Sequence, residues 1–190
     1  MTHPYTIPNL LTALRIVLIP AIVLFFYLPY SWSDMACGLM FALAGITDSV
    51  DGYLARKLGQ VSPLGAFLDP VADKLIVATA LVLIVSRDPS WYVTLMAVVI
   101  IGREIAISAL REWMAEIGAR RKVAVSAMGK YKTILQIVGL SMLLFRQDLL
   151  FIPIYALGLV LTAVAAVLTL WSMAVYLRAA WPDLAAHRHT

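Results

Sequence analysis

A single cysteine, Cys37, in 190 residues removes two kinds of architecture at once: no intrachain disulfide can form, and no thiolate cluster can hold a metal. Histidine is nearly as scarce. His3, His187 and His189 lie in the polar ends, where a solvated tail explains them more simply than a ligand role. Charged residues make up only 14% of the chain, and no internal repeat, low-complexity tract or long linker breaks it, so residues 1–190 read as one domain. The first apolar stretch lacks both a basic segment before it and a small-residue cleavage site after it. It therefore reads as a retained helix and not as a signal peptide.

What is abundant is apolar surface. Hydrophobic residues account for 62% of the chain and the mean hydropathy is +0.88, well above the usual value for a soluble domain. Windows of spanning length, about 20 residues, fall at 9–29, 35–55, 66–86, 91–112, 131–147 and 150–178. The expectation is an all-α, polytopic membrane protein with six transmembrane helices. Short connections near 30–34, 87–90 and 146–149 suit antiparallel neighbours, and Pro20 predicts a kink in the first helix. Six spans put both termini on one side, and that side collects thirteen of the fifteen Lys and Arg residues, leaving only Arg87 and Arg146 on the other. Positive charge is retained in the cytoplasm, so both termini are expected there. This asymmetry accounts for most of the net charge of +4, and no nucleic-acid partner is needed to explain it. The basic stretch 113–130, with Arg120, Arg121 and Lys122, suits either anionic headgroups or topology alone.

Against that background the segment from Asp48 to Asp73 stands out. It carries the pattern D-x2-D-G-x2-A-R-x8-G-x3-D-x3-D, with four aspartates in apolar surroundings. An ionised side chain at the centre of a membrane helix costs roughly 2.5 to 3.5 kcal/mol, so such a group persists only when paired or bound to cations. Asp48, Asp51, Gly52, Ala55 and Arg56 fall on one stripe of a helix, and Gly65, Asp69 and Asp73 recur every four residues on the next. Two carboxylate pairs are expected to meet across the interface of these two helices, near their cytoplasmic ends. Carboxylate oxygens are hard ligands that favour Mg2+ or Mn2+, and a pair of such ions can clamp a phosphoryl group. Gly52 and Gly65 permit close approach, Ala55 leaves room, and Arg56 offers a planar fork for a phosphate oxygen. A helix N-cap role, with Pro70 at the first helical position, would account for Asp69 alone but not for Asp73.

D-S-V-D-G-Y-L-A-R at 48–56 followed by G-A-F-L-D-P-V-A-D-K at 65–74 resembles the signature of the CDP-alcohol phosphatidyltransferases, with every signature position present. P-N-L-L-T-A-L-R at 8–15, R-E-I-A-I-S-A-L-R-E-W-M-A-E at 103–116 and V-A-V-S-A-M-G-K-Y-K-T at 123–133 resemble the bacterial branch whose acceptor is sn-glycerol 3-phosphate. The resemblance implies a six-helix enzyme of the bacterial cytoplasmic membrane, often a homodimer among membrane lipids. Such an enzyme moves the phosphatidyl group of CDP-diacylglycerol to an alcohol and releases CMP from a cytoplasm-facing cavity. Carried over by position, Asp48, Asp51, Asp69 and Asp73 would hold two divalent cations, Mg2+ or Mn2+, and Asp73 would be the catalytic base. Gly52, Ala55, Arg56 and Gly65 would contact the cytidine nucleotide, joined by Asn9 and Thr12.

The acceptor's phosphate needs cations, and Arg111 and Lys130, backed by Arg103 and Lys132, are the candidates. Arg103 lies deeper in its helix than charge retention requires, so it should face a polar cavity or pair with a buried acid. Two alternatives stay open. The acceptor could instead be an inositol phosphate or serine, or the acids could serve a cation or proton transporter. Crowding of all four acids toward one end argues against transport, which needs access from both faces.

Overall fold

The computed structural model describes residues 7–58, 63–117 and 127–186, without the side chains of 7–9, 49–58, 63, 64, 66, 127–130, 179 and 182–186. Six helices follow in order: α1 (Ile7–Phe26), α2 (Ser33–Leu58), α3 (Pro63–Arg87), α4 (Trp91–Glu116), α5 (Ala127–Phe145) and α6 (Ile154–Ala186). Among the described residues there is no strand, and an isolated bridge between Leu149 and Ile152 closes the turn before α6. Sequences rich in Leu, Ala, Ile and Met satisfy backbone donors and acceptors within each helix, the requirement that apolar surroundings impose.

Helix ends differ from the apolar windows because backbone hydrogen bonding continues after the hydrophobic run stops. α3 begins at Pro63, so Asp69 and Pro70 lie inside the helix and Asp69 is not its N-cap. α4 runs to Glu116 and α6 to Ala186, each beyond its window. α5 ends in a left-handed residue, Arg146 at φ 59°, whose backbone N–H donates to the Met142 carbonyl at 3.1 Å. Arg120, Arg121 and Lys122 lie outside the described residues.

The packing order is not the chain order. α1 lies against both α2 and α3, which scarcely touch each other; α2 packs on α5, α5 on α6 and α6 on α4. α5 and α6 approach closely at Gly139 and Gly158. A Cβ at Gly139 would stand 2.5 Å from Thr162 Oγ1, and one at Gly158 would stand 2.9 Å from Met142 Cβ. Small residues at such a crossing let two backbones meet without the help of bulk hydrophobicity.

Burial is partly inverted relative to a water-soluble bundle. Ile22, Phe41, Leu81, Ile100 and Leu140 form the centre of the core, yet Thr12, Arg15, Arg103, Lys132 and Gln136 are buried beside it. Phe67, Val82, Val98, Val160 and Trp171 face outward. Trp91–Glu116 and Ile154–Arg178 are each long and apolar enough to cross a membrane, with mean hydropathy of 2.0 and 2.2. Leu10–Phe26 and Tyr131–Phe145 are apolar but shorter.

At the end where α2, α4 and α6 begin, polar groups pair off locally. Arg87 bonds Asp34, donates to the Phe26 carbonyl at 2.8 Å and lies 4.0 Å above the Phe26 ring. The Tyr155 hydroxyl donates to Asp88, and the Ser90 backbone N–H adds a bond at 3.2 Å. These bonds, Tyr155 first, hold Asp88 below the usual carboxylate range.

Candidate active site

Three of the four aspartates singled out in the sequence converge. Asp48 of α2 and Asp69 and Asp73 of α3 each offer a carboxylate oxygen, all within 4.8 Å of one another. Because α2 and α3 hardly pack together, the convergence depends on α1 between them. One guanidinium, that of Arg15, bridges the three acids: Nη1 reaches Asp48 at 3.1 Å and also bonds Asp73, while Nη2 reaches Asp69 at 2.7 Å. One turn earlier on α1, the Thr12 hydroxyl donates to Asp69 at 3.2 Å. Arg15 is 1% exposed and the aspartates 33 to 40%, so a buried cation holds together acids that face an opening.

That opening is a cavity of about 290 Å3 to which all six helices contribute. Arg15, Asp48 and Asp73 line one part. Arg103 and Arg111 of α4 and Lys132 of α5 line another, beside Ser172 and Tyr176 of α6. Arg103 lies about 20 Å from the C-terminal end of α4, counting 1.5 Å per residue to Glu116. It faces this cavity, and its guanidinium pairs with Glu104 of the same helix. Arg111 lies 5.4 Å from the centre of the Tyr176 ring and donates to its hydroxyl at 3.5 Å. Lys132 is 4% exposed, a depth at which an ammonium group needs anionic or polar company.

Other expected site residues are placed only by backbone. Asp51, Gly52, Ala55 and Arg56 sit on the last turns of α2, Asn9 on the first of α1 and Lys130 on the first of α5, but their side chains lie outside the described residues. Gly65 is one turn before Asp69 on α3. The sequence had shown Arg15 only as the end of the 8–15 segment and as one of the thirteen cations on one side, although its i, i+3 spacing from Thr12 puts both on one face. Glu104, Gln136, Ser172 and Tyr176 were also missed. In α6 the only hint was a hydroxyl pair at i, i+4 within an otherwise apolar run.

The donor set suits a hard divalent cation. Among the described residues it consists of carboxylate oxygens, close enough for shared coordination, and three acids there against one arginine leave a deficit of positive charge. Beside it stands a basic wall suited to an anion. Such a cavity can bring a metal-bound diphosphate against a second phosphorylated molecule.

Comparison with known proteins gives a consistent result. A family model described as CDP-alcohol phosphatidyltransferase matches residues 5–171. Proteins named CDP-diacylglycerol--glycerol-3-phosphate 3-phosphatidyltransferase from Shigella flexneri serotype 5b and Escherichia coli K12 are each 55% identical over 180 residues, covering 95% of this chain and 97% of theirs. One of the same name from Salmonella choleraesuis is 54% identical over the same coverage.

Proposed function

The chain belongs to the CDP-alcohol phosphatidyltransferase family, and from that premise we propose that it transfers the phosphatidyl group of CDP-diacylglycerol to sn-glycerol 3-phosphate, giving phosphatidylglycerophosphate and CMP. The observation that carries this reading is one cavity that joins the carboxylate cluster to a basic wall of Arg103, Arg111 and Lys132. An uncharged acceptor such as inositol would have no use for that wall. The near full-length relatives carry the acceptor in their name.

Asp48, Asp51, Asp69 and Asp73 would hold divalent cations, Mg2+ or Mn2+, two in number as membership of the family implies. When bound, these supply attraction for the diphosphate and offset charge on the departing CMP. Asn9, Thr12, Gly52, Ala55, Arg56 and Gly65 bind the cytidine nucleotide and its phosphates. Arg111 and Lys130, with Arg103 and Lys132 behind them, gather the acceptor's phosphate. Tyr176 keeps the Arg111 guanidinium turned toward the cavity.

With the acceptor held in this way, its hydroxyl oxygen attacks the phosphorus next to the diacylglycerol. A P–O bond to the acceptor forms, the bond to CMP breaks, and the hydroxyl proton passes to an Asp73 carboxylate oxygen. Positioning does most of the work, because both reactants are anions that repel each other in solution.

The setting belongs to the same proposal. Residues 1–190 form one domain of six spans in the bacterial cytoplasmic membrane, with both termini and the cavity on the cytoplasmic side and a second copy as partner in a homodimer. Outward-facing apolar side chains and the two long apolar helices support it.

The test is CMP release by the purified chain in detergent with Mg2+ and CDP-diacylglycerol, comparing glycerol 3-phosphate, serine, inositol and inositol phosphate. Release that depends on glycerol 3-phosphate is expected. Release with another acceptor alone would overturn the acceptor assignment, and release with none would return attention to transport.

A further inference from the structure

We propose that the Arg15 guanidinium competes with divalent cations for the carboxylates of Asp48, Asp69 and Asp73, and that it leaves the space among them when cations bind. The inference rests on the reading that these acids hold cations. It concerns what occupies their centre beforehand and what that occupant does to metal affinity.

The geometry makes sharing difficult. Both terminal nitrogens of Arg15 are already engaged, Nη1 with Asp48 and Asp73 and Nη2 with Asp69, and the acids' ligand oxygens lie within 4.8 Å of one another. A planar guanidinium in that gap occupies the approach directions a cation needs, and at such range it repels a divalent ion strongly. Among the described residues three carboxylates surround this one guanidinium, two formal negative charges in excess, so the cluster continues to attract cations.

The guanidinium has a place to go. Arg15 itself lines the 290 Å3 cavity, so rotation about its side-chain bonds moves the charge there while α1 stays packed. Retreat on that path brings Arg15 to the volume where the diphosphate is proposed to bind, so the charge that bridges the acids would then stand beside phosphate oxygens. Thr12, bonded to Asp69 from the same face of α1, keeps one acid in place during the exchange.

The alternative is that Arg15 holds the acids in every state. The two roles predict opposite signs for metal binding. Mn2+ binding to the detergent-purified full chain, read from the EPR signal of free Mn2+ without nucleotide, separates them. Arg15→Met keeps length and loses charge, and it should bind Mn2+ about tenfold more tightly than wild type. Arg15→Lys keeps charge but loses the fork that spans three acids, and it should bind about threefold more tightly. In EDTA the Arg15→Met protein should melt below wild type, with the gap closing as Mn2+ is added. Weaker or unchanged Mn2+ affinity in either variant overturns the proposal, and Arg15→Lys decides if Arg15→Met is not recovered folded. Asp69→Asn is the control for the site: if wild type and Asp69→Asn bind Mn2+ equally, the metal reading itself fails.

Discussion

The two ends of the helix bundle both gather charge, but they partner it differently. Where α2, α4 and α6 begin, Arg87 pairs with Asp34, and Asp88 takes its bonds from Tyr155 and Ser90, around a void of about 10 Å3. At the opposite end one arginine serves three aspartates, and Arg103, Arg111 and Lys132 stand in a cavity of about 290 Å3. Charge matched locally and without space holds helices together. Charge in excess of its local partners, facing space, waits for a ligand.

That contrast sets the order of expected effects. Asp48→Asn or Asp69→Asn removes a cation ligand, and CMP release should fall by about a thousandfold, the scale of losing an essential charged group in a catalytic site. A loss below tenfold would move the chemistry away from this cluster. Arg111→Gln removes a charge-assisted bond worth about 1.5 to 3 kcal/mol, so the KM for glycerol 3-phosphate should rise about ten- to a hundredfold while that for CDP-diacylglycerol changes little. Equal rises in both would make Arg111 a general support of the fold.

Effects on stability come next. Gly139→Leu forces a side chain into the α5–α6 crossing and should cost about 1 to 3 kcal/mol, seen as a lower denaturation midpoint. At the locally paired end the smallest change concerns pH. The carboxyl of Asp88 is depressed when folded, so its contribution to stability is present above its unfolded value near pH 4 and fades as pH falls through the lower folded value. Tyr155→Phe should flatten the acid limb of the melting profile below about pH 4 and leave turnover at neutral pH unchanged.

Much of this molecule could be read from the residues because acids in apolar surroundings are rare and costly. Asp48, Asp69 and Asp73 drew notice for that reason, and the structure brings them together. The six helices were equally visible as apolar windows, although their ends were not, since hydrogen bonding in α4 and α6 outlasts the hydrophobic run. Which helices pack together was hidden. Periodicity shows the faces of α2 and α3 but not that α1 packs against both, so the meeting of the acids was expected while the Arg15 that bridges them was not. Arg15 itself was masked by a simpler explanation, the retention of positive charge on one side. Tyr176 was masked by α6, apolar almost all the way round.

The measurement that tests the contrast most directly is the rate of glycerol 3-phosphate-dependent CMP release by Asp73→Asn and Asp34→Asn in one assay, with the melting temperature of each. Asp73→Asn should lose about a thousandfold in rate with no loss of melting temperature, because it removes one of three mutually repelling acids. Asp34→Asn should melt lower by a cost of about 0.5 to 1 kcal/mol and turn over within about twofold of wild type. Comparable losses of rate at both ends, or an active Asp73→Asn, would contradict the account.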